Sequence, residues 1–285
     1  MTTTELSGAD LERRFGGLRR LYGDIGYAKI RAARVAIVGL GGVGSWACEA
    51  LARSGIAALT LIDLDHVAES NINRQVQALG ATLGQPKAGA LRERIADIHP
   101  GCEVFAIEEF VDQSNWPALL KQPVDVVIDA CDQVRAKLAL AGWALRTGMP
   151  LVVVGAAGGK RRPQDVQVSD LSLVTHDPLL ASLRQRLRKQ HGAARDASMG
   201  VRCVFSREAV AAPADACAVG GAEKDVEKGA EKGVEKGVEK GDGSLNCHGY
   251  GSSVSVTATF GMVAANEALE FVVDGSSRAP RQSPI

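Results

Sequence analysis

The chain has 285 residues, 46% of them hydrophobic, which is enough length and apolar content for a full hydrophobic core. Its 33 basic and 33 acidic side chains cancel, which excludes a global field that would attract a nucleic acid or a membrane, so any polyanion must bind to a local patch. The six cysteines form no C-x-x-C pair, which argues against structural zinc and thioredoxin-type sites and suits reduced thiols in the cytoplasm.

The N-terminal segment is predicted to be helical from residue 6 to residue 32. Residues 1–20 are polar and lack the apolar stretch of a signal peptide, so no export signal is expected. Four arginines lie here, and a solvated face is favoured over a phosphate site for them: Arg13, Arg14, Arg19 and Arg20.

Residues 34–65 have the order of a strand, a glycine-rich turn, a helix and a second strand. Residues 35–38 are continuously apolar, which is typical of a central parallel strand covered on both faces. Residues 45–53 predict a helix, because they lack proline and are rich in Ala, Leu and Glu, and residues 59–62 predict the second strand. Asp63 follows that strand, where a carboxylate can accept hydrogen bonds from ribose hydroxyls.

Four glycines lie in the turn between the first strand and the helix: Gly39, Gly41, Gly42 and Gly44. Because glycine has no Cβ, backbone N–H groups and the helix N-terminus can approach a phosphate chain closely, and the helix dipole favours negative charge there. The pattern therefore predicts a nucleotide site. It leaves the nucleotide open, since Gly39, Gly41 and Gly44 also satisfy the G-x-G-x-x-G pattern of NAD enzymes.

A polar cluster follows the second strand, and its members Asn71, Arg74 and Gln75 would lie where a nucleotide binds. The planar guanidinium of Arg74 suits phosphate oxygens. Lys87 stands at the start of the next predicted helix, residues 88–98, and the polar cluster before it makes it a candidate phosphate ligand as well.

Two further strands are predicted at residues 102–107 and 125–128. In a doubly wound sheet ordered 3-2-1-4, strands 1 and 4 flank the ligand position, so acids after strand 4 would face the phosphates while Asp63 faces the ribose. Asp132 is the candidate Mg²⁺ ligand, with a helix N-cap as the alternative, and Asp129 is assigned a structural role.

The remaining pattern predicts strands at residues 151–154, 166–171 and 201–206 and a helix at residues 178–191. That helix carries a basic run without acids (Arg184, Arg186, Arg188 and Lys189), which is either a solvated face or a place where nucleic acid is held. The elements together predict an α/β fold, a Rossmann-like doubly wound, mostly parallel sheet with a C-terminal extension of the sheet and a final helix.

Four regions follow: an N-terminal helical segment (1–33), a nucleotide-binding α/β domain (34–206), an insertion (207–248), and a C-terminal helix and tail of the same domain (249–285). The insertion contains tandem E-K-G-x units and has no apolar face, so it is predicted to be disordered. Residues 254–273 are long enough to span a membrane, but Asn266, Glu267 and Glu270 favour a helix packed on the sheet over membrane insertion.

These motifs together resemble the E1-like adenylating superfamily of ubiquitin-activating enzymes and their bacterial relatives of the ThiF, MoeB and HesA type. The resemblance rests on residues 39–45 (GLGGVGS), 63–65 (DLD), 70–75 (SNINRQ), 129–132 (DACD) and Lys87. It implies an ATP site with Asp63 at the ribose, Arg74 and Lys87 at the triphosphate, Asn71 and Gln75 completing the pocket, and Mg²⁺ on Asp132. A hydride-transfer enzyme needs no such clamp of cations facing an Mg²⁺ ligand.

Other segments resemble one branch, the bacterial tRNA threonylcarbamoyladenosine dehydratases: residues 14–17 (RFGG), 21–23 (LYG), 155–159 (GAAGG), 167–171 (QVSDL), 177–179 (DPL) and 204–206 (VFS). This resemblance implies an enzyme that uses ATP to adenylate the carboxylate of N6-threonylcarbamoyladenosine at tRNA position 37 and then closes it into a cyclic form. Arg74, Lys87 and Asp132 would be the catalytic residues. The resemblance further implies a homodimer and an association with a cysteine desulfurase, and it leaves open a monovalent cation.

Three alternatives stay open on the sequence alone. Sulfur-carrier adenylyltransferases of the ThiF and MoeB type share the chemistry but normally carry paired C-x-x-C zinc motifs, which are absent from this sequence. The glycine pattern would also suit a nicotinamide oxidoreductase. The third alternative is a non-catalytic nucleotide-binding partner of a cysteine desulfurase.

Overall fold

The computed structural model describes residues 8–211 and 250–275, so the E-K-G repeat, Cys217 and Cys247 lie outside the described residues. The described strands are β1 (Arg34–Val38), β2 (Ala58–Ile62), β3 (Glu103–Ile107), β4 (Val126–Asp129), β5 (Leu151–Val154), β6 (Val166–Asp170) and β7 (Arg202–Ser206). The described α-helices are α1 (Leu11–Phe15), α2 (Arg19–Ala32), α3 (Gly44–Arg53), α4 (Lys87–Ile98), α5 (Val134–Thr147), α6 (Pro178–Gln190) and α7 (Val254–Asp274).

These strands form one sheet in the order β3-β2-β1-β4-β5-β7-β6. Neighbouring strands are parallel except for β6 and β7, which are antiparallel at the C-terminal end of the sheet. The strand order reverses between β1 and β4, and a ligand crevice forms at the carboxyl ends of the strands at such a point. The predicted Rossmann-like sheet, its 3-2-1-4 order and its extension beyond β5 are confirmed.

Both faces of the sheet are covered, as continuous apolar runs require. Along β1, Val35 and Ile37 belong to a core that also contains Leu51 of α3 and Phe260 of α7. The alternate residues of β1 face a second core, which is built with α5 and α6. The central strands are therefore fixed from two sides, and their carboxyl ends form a rigid base for the loops that follow them.

Two helical regions differ from the sequence prediction. The N-terminal helical segment is not continuous, because a 3-10 turn follows α1 and Gly23 interrupts α2 with a φ of +70°. Its arginines also have structural partners. Arg14 donates to the carbonyls that end α4, and Arg19 pairs with Glu12 and Asp24. Helix α5 was not among the predicted elements.

Helix α7 is the one helix in residues 8–211 and 250–275 that is long and apolar enough to cross a membrane. It lies instead against α3 and α2, with Phe260, Ala264 and Ala268 buried in the core. A Cβ at Gly261 would lie 2.5 Å from the Val43 carbonyl oxygen, so glycine permits this close packing against α3. Glu267, whose side chain is 15% exposed, pairs with Arg202 of β7 at 3.1 Å. This packing agrees with the expectation that the helix rests on the sheet.

His99, which follows α4, makes the stability of the fold depend on pH. Its Nε2 lies 3.0 Å from Arg31 Nη1, its ring packs against Phe15, and burial together with Arg31 lowers the pKa of His99 to about 4. The unfolded chain therefore takes up this proton first as the pH falls. We expect the contribution of His99 to be fully present above about pH 6.5 and to fall by up to about 3 kcal/mol between pH 6.5 and pH 4.

Urea unfolding of the parent chain and a His99→Gln variant at pH 7.5 and pH 4.5 tests this expectation. The parent should lose more free energy of unfolding than the variant over this interval, because all other groups titrate in both proteins. Equal losses would contradict the role given to His99.

Candidate functional site

A cavity of about 390 Å³ lies at the carboxyl edge of the sheet, where β1 and β4 are neighbours. Nine of the ten residues proposed for the site from the sequence line it: Gly39, Gly41, Gly42, Asp63, Asn71, Arg74, Gln75, Lys87 and Asp132. The tenth, Gly44, does not line the cavity. The polar residues that were widely spaced along the sequence thus face one common space.

The glycine turn forms one wall of the cavity, and its glycines do different things. Gly39 has a φ of +85°, and a Cβ there would lie 2.7 Å from the Cys131 backbone nitrogen. A Cβ at Gly42 would lie 3.2 Å from Arg74 Cγ, so the absence of a side chain at Gly42 leaves room for the side chain of Arg74. At Gly44 a Cβ would overlap the Gly39 carbonyl oxygen, so only glycine allows the first turn of α3 to pack against the glycine turn.

Asp63 is fixed by the backbone on the β2 side of the cavity. Its Oδ2 accepts a hydrogen bond from Leu40 N at 2.5 Å, and its Oδ1 accepts one from Asp65 N at 2.9 Å. Burial raises the pKa of Asp63, and nearby Lys87 and the two amides oppose this rise. Each carboxylate oxygen has a lone pair left for a further donor, as two neighbouring ribose hydroxyls would provide.

Two cations lie on the same side of the cavity. Lys87 opens α4 with a side chain that is only 7% exposed, and its Nζ lies 2.6 Å from Asp65 Oδ2. Arg74 Nη1 donates to the Ser70 carbonyl at 2.6 Å and to Asn73 Oδ1 at 2.9 Å. Burial lowers the pKa of Arg74, but a guanidinium keeps its charge in proteins. Arg74 and Lys87 therefore present charged N–H donors in a partly buried space, which suits phosphate oxygens.

The amide side chains Asn71 and Gln75 are held by local contacts. Asn71 Oδ1 accepts from Ala68 N at 3.1 Å, and Gln75 Oε1 accepts from Gln77 Nε2 at 3.1 Å. Gln77 also donates to the Leu40 carbonyl at 3.0 Å and so links the polar cluster to the glycine turn.

Two supporting residues were missed by the sequence reasoning, Trp46 and Gln77, and Asp65 was quoted only as part of the 63–65 segment, without its role as the partner of Lys87. Trp46 Nε1 donates to the Arg74 carbonyl at 2.9 Å and fixes the backbone of that cation. The one available signal was the pair of amides Gln75 and Gln77, two residues apart in the polar segment after β2.

Asp132 lies on the opposite side of the cavity, in the loop after β4. Below it, Asp129 is fully buried and pairs with Lys137 of α5, whose Nζ is 3.1 Å from Asp129 Oδ1 and 2.7 Å from the Val154 carbonyl oxygen. Lys137 therefore joins the carboxyl ends of β4 and β5. The structural role assigned to Asp129 is confirmed.

Within residues 8–211 and 250–275, no three His, Cys, Asp or Glu side chains come together as a protein metal site. A divalent ion would need most of its ligands from water and from a substrate. Mg²⁺ is commonly bound in this way, through one or two carboxylates and substrate phosphates, so the single carboxylate of Asp132 fits it.

Comparison with known proteins agrees with this geometry. The model of the ThiF family matches residues 16–283. The tRNA threonylcarbamoyladenosine dehydratase of Escherichia coli is 41% identical over 272 residues, which cover 93% of this chain and 96% of that protein. Its Haemophilus influenzae counterpart is 36% identical, with 91% and 93% covered.

Among solved structures, the crystal structure of the E. coli dehydratase in complex with ATP matches with a TM-score of 0.78 and 39% identity, and covers 93% of this chain and 96% of that one. The ThiF family model, which spans residues 16–283, includes β6, β7 and α7 as well as the strands that border the cavity. The chain therefore belongs to the ThiF family, in the branch formed by the tRNA threonylcarbamoyladenosine dehydratases.

Proposed function

We propose that this chain is an ATP-dependent enzyme that adenylates the carboxylate of N6-threonylcarbamoyladenosine in tRNA and closes it to the cyclic form. The observation that carries the proposal is that Asp63, Arg74, Lys87 and Asp132 line one cavity. Similarity to the E. coli dehydratase over nearly the full length of both proteins supports the choice of substrate.

The proposed use of ATP activates the carboxylate of the substrate, which does not react with a nucleophile by itself. A carboxylate is a poor acyl donor because its leaving group would be oxide. Attack of a carboxylate oxygen on the α-phosphorus of ATP releases pyrophosphate and gives an acyl-adenylate, whose leaving group is AMP. The carbamoyl group of the same nucleoside then attacks the activated carbonyl carbon, so the ring closes, AMP departs with the former carboxylate oxygen, and one carbamoyl N–H proton passes to solvent.

The protein has two tasks in this sequence, alignment and charge stabilisation. Asp63 would orient the ribose, while Arg74 and Lys87 would neutralise charge that develops on the phosphates. Asn71 and Gln75 would complete the phosphate pocket. Mg²⁺ held by Asp132 would neutralise further phosphate charge opposite Arg74 and Lys87.

Mass spectrometry of tRNA nucleosides tests the proposal directly. After incubation of the chain with ATP, Mg²⁺ and tRNA that carries N6-threonylcarbamoyladenosine, the modified nucleoside should be lighter by one water, and omission of ATP should abolish the change. An unchanged nucleoside mass would refute the proposed reaction. ATP–pyrophosphate exchange that required a protein with a C-terminal Gly-Gly tail would identify a sulfur-carrier adenylyltransferase, and binding of NAD(H) without ATP would identify an oxidoreductase.

No cysteine nucleophile is needed for an intramolecular closure, and the described cysteines support this. Cys131 lines the cavity, but burial and the neighbouring Asp129 raise the pKa of its thiol, and Cys203 is fully buried in β7. We expect Cys131→Ala to retain turnover within about threefold of the parent, because a protonated thiol is a weak nucleophile. The initial rate of nucleoside conversion measures the effect. A fall in this rate as large as the removal of a catalytic nucleophile causes would require a thioester step.

The expectations of a homodimer, a cysteine desulfurase partner, a monovalent cation and a cytoplasmic location stay predictions. Light scattering during size-exclusion chromatography tests for the homodimer. Titration with a purified cysteine desulfurase tests for that partner, and the rate of nucleoside conversion in K⁺, Na⁺ and a bulky organic cation tests for the monovalent cation. Cell fractionation tests the location.

A further inference from the structure

A loop that contains Lys160, Arg161 and Arg162 is fastened to the segment after β7. Lys160 Nζ donates to the Ser206 carbonyl at 3.1 Å and to the Glu208 carbonyl at 2.6 Å. In return, the Glu208 carboxylate accepts from Arg161 N at 3.0 Å and from Arg162 N at 2.8 Å. Five hydrogen bonds of this kind link the two segments: two from the Lys160 ammonium, two from Arg161 N and one from Arg162 N.

The arrangement leaves an excess of positive charge at the surface. The side chain of Glu208 is only 10% exposed, whereas that of Arg162 is 59% exposed and pairs with Asp165 at 3.2 Å and with Glu208 at 3.8 Å. Arg161 and Arg207 are exposed, and no carboxylate of residues 8–211 and 250–275 pairs with either guanidinium. We name this surface of Arg161, Arg162 and Arg207 the basic rim.

The loop that carries Arg161 and Arg162 continues from the wall of the cavity. Gly158, two residues before Lys160 along the loop, lines the cavity, and so do Tyr250 and Ser252. Gly159 N donates to the Gly251 carbonyl at 2.8 Å, which binds the loop to that part of the wall. A molecule that extends out of the cavity past Gly158 therefore passes the loop that carries Arg161 and Arg162.

The other basic run of the chain is less available than its sequence indicated. Arg184 donates to the carbonyls of Leu171 and Val174, and Arg188 donates to those of Ala194 and Arg195. Only Arg186 and Lys189 of the run are exposed on α6. Because the chain has no net charge, a polyanion has to be held by local patches, and the rim is a patch whose loop continues directly from the cavity wall at Gly158.

We infer that the basic rim binds the phosphodiester backbone of the RNA substrate beside the modified nucleoside, an inference that rests on the proposed function. Guanidinium groups suit this role because they bind phosphate oxygens in a planar, two-pronged geometry. The loop is held by Lys160 and Glu208, so Arg161 and Arg162 lose little backbone freedom when RNA binds. The rim contributes affinity and position, and it carries no base recognition.

A double variant, Arg161→Ala/Arg207→Ala, tests the inference in the full chain. The dissociation constant for tRNA that carries N6-threonylcarbamoyladenosine is measured over a series of KCl concentrations. We expect the slope of log affinity against log salt to fall by about 1 for each phosphate group that the variant no longer binds, thus by about 2. Affinity near 0.1 M salt should fall at least about tenfold, and the dissociation constant for ATP should not change.

Two matched variants sharpen the result. Arg161→Lys/Arg207→Lys keeps the charge and should recover most of the salt slope, while Arg186→Ala/Lys189→Ala removes two exposed cations from α6 and should leave the slope unchanged. The inference is overturned if the rim variant keeps the parental slope, if the α6 variant loses as much, or if the parent does not bind tRNA. Conversion of the nucleoside by the parent is scored separately, so a rim-dependent slope without a mass change would refute the proposed function alone.

Discussion

An Arg74→Ala variant will convert the modified nucleoside about 10² to 10³ times more slowly than the parent, a loss of roughly 3 to 4 kcal/mol of transition-state stabilisation. The guanidinium is positioned before substrate binds, by Ser70 and Asn73 and by the space that Gly42 leaves for its stem. Alanine keeps the backbone carbonyl that accepts from Trp46, so the fold around it is retained. The initial rate at saturating ATP and tRNA measures the effect.

Asp132→Asn should cause a loss of similar size through the opposite side of the cavity, because an amide is a much weaker Mg²⁺ ligand than a carboxylate. Asp97→Asn is the matched control, since Asp97 is an exposed acid of α4 outside the cavity. The thermal midpoints of all variants should stay close to that of the parent. Near-parental rates for Asp132→Asn would remove this residue from the mechanism.

Lys137→Met will lower the free energy of unfolding by about 3 to 5 kcal/mol, because it leaves the Asp129 carboxylate buried without a counter-charge. Both side chains are fully buried, and Lys137 also donates to the Val154 carbonyl. Burial by itself would lower the pKa of Lys137, but Asp129 outweighs it and the pKa lies above its ordinary value. Methionine preserves most of the length and volume of lysine, so the fall in the free energy of unfolding measures the effect of removing the charge.

Urea unfolding at neutral pH measures this change, with Lys121→Met as the control because Lys121 is exposed. The double variant Lys137→Met/Asp129→Asn should be more stable than Lys137→Met alone, since it buries no uncompensated charge. A loss below about 1 kcal/mol for Lys137→Met would mean that water reaches the carboxylate.

The strands were predictable because burial on both faces leaves a direct mark on the sequence. All seven strand positions inferred from apolar runs lie within two residues of those in the structure. Helix α5 was missed, and Lys137 illustrates the reason. It occupies a fully buried position on that helix, where an apolar residue would have continued the helical period.

The sequence by itself determined the positions of the strands, the glycine turn and the acid after β2, because each depends on neighbours along the chain. Only the tertiary structure decided which charged side chains are free of structural contacts and so available to bind a ligand. Arg14 donates to backbone carbonyls 83 and 84 residues away, and Arg184 donates to the Leu171 carbonyl. Arg161 and Arg207, by contrast, stay exposed. The physical reason is that the availability of a charged side chain depends on the acceptors that the fold brings next to it in space, and the local sequence does not show which acceptors these are.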